Sequence, residues 1–134
     1  MALPITAITA AICAIMLLIT AIDTVRQRIQ SKTAFGDGGG NAKLISASRS
    51  HGNLAEHAPL AIIMIGLLEP HANHYALSAV AALFLFARVC HIFGLYAPMS
   101  TKPPLGRQIG VMGTWLVYVI LIVWTLYAVV KLNG

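Results

Sequence analysis

The stretch RSHGNLAEHAPLAIIMIGLL, residues 49–68, joins a group of polar and charged side chains directly to an apolar run. The apolar part, 58–68, is too short to cross a bilayer, because a membrane-spanning helix needs about 20 residues. It reaches that length only if the helix also includes the polar residues from about Ser46. The sequence therefore predicts a helix that carries Arg49, Asn53 and Glu56 into a membrane.

The composition of the whole chain agrees with a membrane location. Of its 134 residues, 58% are hydrophobic and only 10% are charged, which leaves too little polar surface to cover a soluble fold of this size. Three other runs, 3–22, 75–95 and 109–130, are largely apolar over about the length of a membrane span. We predict an all-α integral membrane protein, a single domain over residues 1–134 that forms a four-transmembrane-helix bundle. The predicted helices lie at approximately residues 3–30, 46–69, 73–96 and 107–131.

The first of these runs also resembles a secretory signal peptide in its position. It lacks a positively charged start, and its apolar run is longer than that of a typical signal, so we interpret it as a helix. Cys13 and Cys90 both lie in apolar segments, where they predict neither a disulfide framework nor a metal site. The glycine-rich FGDGGGN is read as a flexible loop, because it lacks the Gly-Lys-Ser/Thr ending of a phosphate-binding loop.

The basic residues are concentrated in two of the three connections, which predicts the orientation in the membrane. The second connection, EPHANH, has no lysine or arginine, and the C-terminus has only Lys131. By the positive-inside rule, the first and third connections face the cytoplasm and both termini face the other side. The net charge of +5 is therefore attributed to topology, and no nucleic-acid partner is predicted. The basic residues of the first and third connections are Arg26, Arg28, Lys32, Lys43, Arg49, Lys102 and Arg107.

Helical periodicity places the polar residues of the quoted stretch in one stripe. At 100° per residue, Arg49, Asn53 and Glu56 fall within about 60° of each other, and His57 lies beside them. Glu56 would lie roughly 13 Å below the cytoplasmic surface, and Arg88 of the third helix at a similar depth. Because isolated charges are costly inside a bilayer, we expect a Glu56–Arg88 ion pair that faces the bundle interior, with His91 on the same face as Arg88.

Such a pair is compatible with a purely structural role, with Asn53 as a hydrogen bond between helices. The surplus of arginines over acids in this half of the bundle favours a bound anion instead. Arginine binds carboxylates through its planar, two-pronged donor group. A ligand with carboxylates, and with an amine for Glu56, would balance these charges. Glutathione fits that description.

The segments FGDGGGN, RSHGNLAEHAPL and ARVCHIFGLY together resemble the MAPEG family, the membrane-associated proteins in eicosanoid and glutathione metabolism. The likeness is to its small bacterial branch and to microsomal glutathione S-transferases. The resemblance implies a homotrimer with glutathione as co-substrate, no metal, and a bacterial inner-membrane location. It implies Arg107 as the catalytic residue that stabilises the glutathione thiolate. The implied glutathione-binding residues are Arg26, Arg28, Arg49, Asn53, Glu56, His57, Arg88, His91 and Tyr96.

The chain departs from the family pattern at three places. His57 stands where many members have a tyrosine, and Leu95 stands where eukaryotic members often have one, with Tyr96 one residue out of phase. The STKPPLG loop also changes the spacing from the third helix to Arg107.

We expect a glutathione-dependent transferase or peroxidase that acts on lipophilic electrophiles or lipid hydroperoxides entering from the bilayer. The alternatives are a non-catalytic membrane protein that binds glutathione or another small anion, and a small efflux-type transporter. A pump of the small multidrug type would carry an essential glutamate in its first helix, whereas residues 3–22 contain no acid.

Overall fold

The computed structural model describes residues 2–98 and 102–133, apart from the side chain of Asn133, and these residues form four helices without a strand. The all-helical prediction is confirmed. Each helix lies within a few residues of its predicted position, and the largest difference is the start of the second helix, which begins before Ser46 because Asn41 caps it. The helices are α1 (Pro4–Gln30), α2 (Ala42–Leu68), α3 (His74–Tyr96) and α4 (Leu105–Asn133).

Local sequence signals explain where the helices begin. Pro4 stands at the first position of α1, where its missing N–H is no loss. The side chain of Asn41 accepts hydrogen bonds from the amides of Lys43 and Leu44, and Asn73 caps α3 in the same way through the amide of Ala76.

Three helices, Pro4–Gln30, His74–Tyr96 and Leu105–Leu132, are long and apolar enough to cross a membrane. α2 is not among them because its first half carries the polar stripe. It is nevertheless 27 residues long, about 40 Å, which matches α1. The outer surfaces of the bundle are apolar, with large side chains such as Ile15, Leu18, Trp115 and Val123 more than half exposed. Such surfaces suit lipid rather than water, so the chain is an integral membrane protein.

The four helices are arranged around a central α2–α3 pair. α1 contacts α2 and α3, and α4 contacts α3 and α2, while the described parts of α1 and α4 do not meet. The short EPHANH connection makes α2 and α3 neighbours. The apolar core lies inside the bundle and includes Leu54 and Ile65 of α2, Phe84 of α3 and Leu121 of α4.

The tightest contact is between α3 and α4, and it depends on glycines. A Cβ atom on Gly94 would overlap the backbone amide of Arg107, and one on Gly110 would overlap the backbone and Cβ of His91. A Cβ atom on Gly106 would lie 2.9 Å from the carbonyl oxygen of Cys90. The start of α4 thus presents its glycines to α3 in a close helix–helix contact, and this contact fixes where Arg107 lies.

The charged residue Glu69, at the end of α2, caps the start of α1. Its carboxylate accepts hydrogen bonds from the amides of Ile5 (2.7 Å) and Thr6 (2.8 Å), and from the Thr6 hydroxyl. Although burial by itself would raise the pKa of Glu69, these hydrogen bonds outweigh it and hold the pKa below its ordinary value of 4.5. The residue before α1, Leu3, makes no capping hydrogen bond with its side chain. The Glu69 carboxylate therefore accepts from the first amides of α1 in its place.

Replacing Glu69 with Gln should destabilise the protein at neutral pH, because a charged acceptor of three hydrogen bonds is lost. The expected cost is on the order of 1–3 kcal/mol. Since the folded pKa is depressed, this stabilisation is present above the unfolded pKa and disappears as the pH falls through the folded pKa. Thermal unfolding in detergent should separate wild type from Glu69→Gln at neutral pH and bring them together in acid. A constant difference across this range would contradict the ionised cap.

Replacing Gly94 with Ala should destabilise the protein, because the new methyl group displaces the α4 backbone at Arg107. Overpacking of this kind costs about 1–3 kcal/mol. Gly52→Ala is the matched control, since a Cβ at Gly52 meets no atom within 4 Å. Alanine also favours the helix there by up to about 1 kcal/mol. Equal unfolding temperatures for the two variants would contradict this prediction, because they would show that α3 and α4 can move apart at little cost.

Candidate functional site

A polar cleft of about 310 Å³ opens between the first half of α2, the end of α3 and the start of α4. Its walls carry two arginines, one glutamate, one asparagine and one histidine, in a bundle with many large apolar side chains on its outer surface. The cleft therefore brings polar groups of three helices together. The lining residues are Ser48, Arg49, Gly52, Asn53, Glu56, His91, Leu95, Arg107 and Val111.

The predicted stripe on α2 forms one wall of this cleft. Arg49, Asn53 and Glu56 all line it, as the 100° spacing required. Arg107 lines the opposite side from the first turn of α4. The walls of the cleft therefore carry two guanidinium groups and one carboxylate, whose charges sum to a net positive charge.

The predicted Glu56–Arg88 ion pair is wrong. Glu56 is exposed on the cleft wall, whereas Arg88 lies behind the wall with only 2% of its surface exposed. The Arg88 guanidinium donates to Oδ1 of Asn53 (2.7 Å), to the carbonyl oxygen of Gly110 (2.9 Å) and to the hydroxyl of Thr114. Arg88 therefore donates to neutral oxygens on α2 and α4, and not to the carboxylate of Glu56, which was predicted as its partner because it lies at a similar depth.

The two histidines predicted near the ligand differ in position. His91 is buried and its side chain lines the cleft, one turn from Arg88 on α3. His57 does not line the cleft. Its Nδ1 donates to the carbonyl oxygen of Asn53 at 2.8 Å, and the centroid of its ring lies 6.0 Å from that of the Tyr118 ring.

Tyr96 lines a second cavity rather than the polar cleft. This outer cavity, about 580 Å³, lies toward the ends of α2 and α3 that the sequence assigns to the cytoplasmic side. It shares Arg49, Leu95 and Arg107 with the cleft, so the two spaces meet at the arginines. The Tyr96 hydroxyl donates to the carboxylate of Asp23 on α1, a contact that the sequence did not predict.

The remaining predicted residues, Arg26 and Arg28, lie away from the cleft. Arg26 is exposed on α1. Arg28 donates to the carbonyl oxygens of Ala34 and Gly36 in the loop that follows α1. Neither arginine lines the cleft.

The chemistry of the cleft suits an anion that also carries a positively charged group. Arg49 and Arg107 can donate to carboxylates, the amide N–H groups of Asn53 can donate, and Glu56 can accept from an ammonium group. No group of three or more His, Cys, Asp or Glu side chains that could hold a metal occurs within residues 2–98 and 102–133.

The sequence missed several residues of the site because they carry no charge. Ser48 and Gly52 line the cleft from α2, and Val111 lines it from α4. Gly52 and Ser48 lie about 60° and about 100° from Arg49 around α2, at the edge of the polar stripe, so helical periodicity gave only a weak signal for them. The Gly110 carbonyl and the Thr114 hydroxyl, which hold Arg88, had no comparable signal.

A family comparison agrees with this arrangement. The model of the MAPEG family matches residues 6–127, which includes nearly all of the four helices. The chain belongs to the MAPEG family. The cleft residues Arg49, Asn53, Glu56, His91 and Arg107 all lie within the matched part of this MAPEG protein.

Among characterised sequences, this MAPEG chain is similar to the inner membrane protein YecN of Escherichia coli K12. The two are 29% identical over 124 residues, which cover 92% of this chain and 91% of the relative. The same protein from Escherichia coli O6:H1 strain CFT073 shows the same identity and coverage. No solved structure shows a significant match.

The assignment of Asn53, and not Glu56, as the partner of Arg88 in this MAPEG protein can be tested by measuring the free energy of unfolding of variants. Asn53→Leu should lower the free energy of unfolding by about 1–3 kcal/mol, because it leaves a buried guanidinium N–H without an acceptor. Glu56→Gln should change it by less than about 0.5 kcal/mol, since Glu56 is exposed and makes no ion pair with Arg88. Thermal or denaturant unfolding in detergent measures both variants. If Glu56→Gln lost more free energy of unfolding than Asn53→Leu, the result would support a Glu56–Arg88 ion pair instead.

Proposed function

We propose that this MAPEG protein is a glutathione-dependent membrane transferase or peroxidase. Glutathione would bind in the polar cleft as co-substrate, and a lipophilic electrophile or lipid hydroperoxide would approach from the bilayer. The observation that carries the proposal is the charge arrangement of the cleft, with Arg49 and Glu56 on the α2 wall and Arg107 on the α4 wall.

The proposed binding mode follows from the complementary charges of ligand and cleft. Glutathione has two carboxylates, one ammonium group, two peptide bonds and a thiol. Its carboxylates suit the donor groups of Arg49 and Asn53, and its ammonium group suits the carboxylate of Glu56. His91 adds a polar group at the buried end of the cleft.

Arg107 is the proposed catalytic residue, because a thiol must be ionised to act as a nucleophile. A free thiol with a pKa of about 8.5 is mostly protonated at neutral pH, and a nearby cation raises the thiolate fraction. Arg107 lies in the first turn of α4, where the partial positive charge of the helix start adds to that of the guanidinium. The close α3–α4 contact at Gly94 holds this turn against α3.

The proposal extends to assembly and location. The family resemblance suggests a homotrimer, in which Arg26 and Arg28 of one protomer could face the ligand of another. The name of the relative, an inner membrane protein, suggests the inner membrane, and the charge pattern of the loops suggests that both termini lie outside the cytoplasm.

A second candidate is a membrane protein that binds glutathione or another small anion without catalysis. Leu95 favours it, because an apolar side chain lines the cleft where eukaryotic members of the family often have a tyrosine. The two candidates differ only in whether the bound thiol becomes ionised.

Glutathione binding should be measured by calorimetry on detergent-purified protein, and ionisation of the bound thiol by its ultraviolet thiolate absorbance. Wild type should bind, and Arg49→Ala should weaken binding at least tenfold, since a hydrogen bond to a charged group contributes about 1.5–3 kcal/mol. Lys43→Ala is the control, because it removes an exposed cation of α2 that does not line the cleft.

Arg107→Ala separates the two candidates. For an enzyme, this variant should bind glutathione but lose the thiolate absorbance, together with conjugation of a model electrophile. Binding without a thiolate signal in wild type would support the non-catalytic protein. No binding at millimolar glutathione would contradict both.

A further inference from the structure

Arg88 is a buried cation whose hydrogen-bond acceptors carry no charge. Only 2% of its surface is exposed, and its guanidinium donates to an amide oxygen, a backbone carbonyl oxygen and a hydroxyl group. Its Nε has no hydrogen-bond partner within the described chain. Because these partners are neutral, the positive charge of Arg88 is not cancelled where it lies, directly behind the cleft wall.

The contact with Asn53 fixes which way the asparagine amide faces. Arginine has only donors, so the atom of Asn53 that lies 2.7 Å from Nη1 of Arg88 is the acceptor Oδ1. The amide nitrogen of Asn53, with its two N–H groups, must then occupy the other branch of the side chain. Since Asn53 also lines the cleft, these donors are the polar groups that it can offer a ligand.

Arg88 itself does not line the cleft, so its influence on a ligand passes through Asn53. A charged donor polarises the amide that accepts from it, which makes the amide N–H groups better donors. The low polarity of the surrounding helices strengthens this effect and lets the charge of Arg88 add to the positive potential of the cleft.

We infer that Arg88 is a positioning residue, which aims the amide donors of Asn53 into the cleft and makes them selective for an anionic group such as a carboxylate. This inference rests on the proposed function, since it concerns the ligand of the same cleft. The α4 groups, the Gly110 carbonyl and the Thr114 hydroxyl, hold the guanidinium in the position that this role requires.

A double-mutant cycle on glutathione affinity tests the inference. Arg88→Lys keeps the charge but cannot reach all three acceptors, so it should weaken binding at least fivefold in the wild-type background. In an Asn53→Ala background, Arg88→Lys should change the affinity less than twofold, because the group through which Arg88 acts is gone. A merely structural Arg88 would weaken binding equally in both backgrounds, and that result would overturn the inference.

Asn53→Asp provides a second test that does not depend on the folding of Arg88 variants. A carboxylate beside Arg88 should leave the unfolding temperature unchanged or raise it, because a buried cation gains an opposite charge. It should also weaken glutathione binding at least tenfold, since an ionised carboxylate has no N–H to donate. Wild-type affinity in Asn53→Asp, or a lower unfolding temperature, would overturn the inference. If wild type itself binds no glutathione, the proposed function fails and the inference fails with it.

Discussion

The buried guanidinium of Arg88 is the constraint around which the polar half of this bundle is organised. A cation inside a membrane protein must be provided with hydrogen-bond acceptors, because water is not available to solvate it. Here the acceptors come from α2 and α4, so the side chain of one α3 residue joins three helices. The polar stripe of α2 and the start of α4 are thereby held at the two sides of one cleft.

The close contact of α3 and α4 makes this arrangement possible. Arg88 reaches the carbonyl oxygen of Gly110 because glycines at the contact let the two backbones approach. The same approach brings the first turn of α4, with Arg107, to the mouth of the cleft. Packing between helices in a membrane depends on such close fits, since burial of apolar surface provides little driving force there. The glycines of α4 therefore contribute to the site as much as to the fold.

The opposite end of the bundle shows the same rule in a simpler form. Glu69 is buried, and its carboxylate is satisfied by the first amides of α1. The two charged side chains that are buried among the described residues, Glu69 and Arg88, are thus held by neutral polar groups and not by each other. This leaves Glu56, Arg49 and Arg107 at the cleft, where a ligand can meet them.

The sequence by itself determined the membrane class, the four helices and the α2 wall of the site. Apolar run length and helical period are local properties, and they placed Arg49, Asn53 and Glu56 on one face without knowledge of any neighbour. It could not determine the partner of Arg88. Matched depth and opposite charge suggested Glu56, but the acceptors include a backbone carbonyl, and every residue of every helix carries one.

Only the tertiary structure decided which oxygens lie within reach, because that depends on how closely two helices approach and how each is rotated. It likewise placed His57 away from the cleft, paired the Tyr96 hydroxyl with the carboxylate of Asp23, and brought Glu69 to the start of α1. These contacts join residues that are distant in the chain. Their geometry is fixed by packing between helices, which a single sequence does not encode in any local pattern.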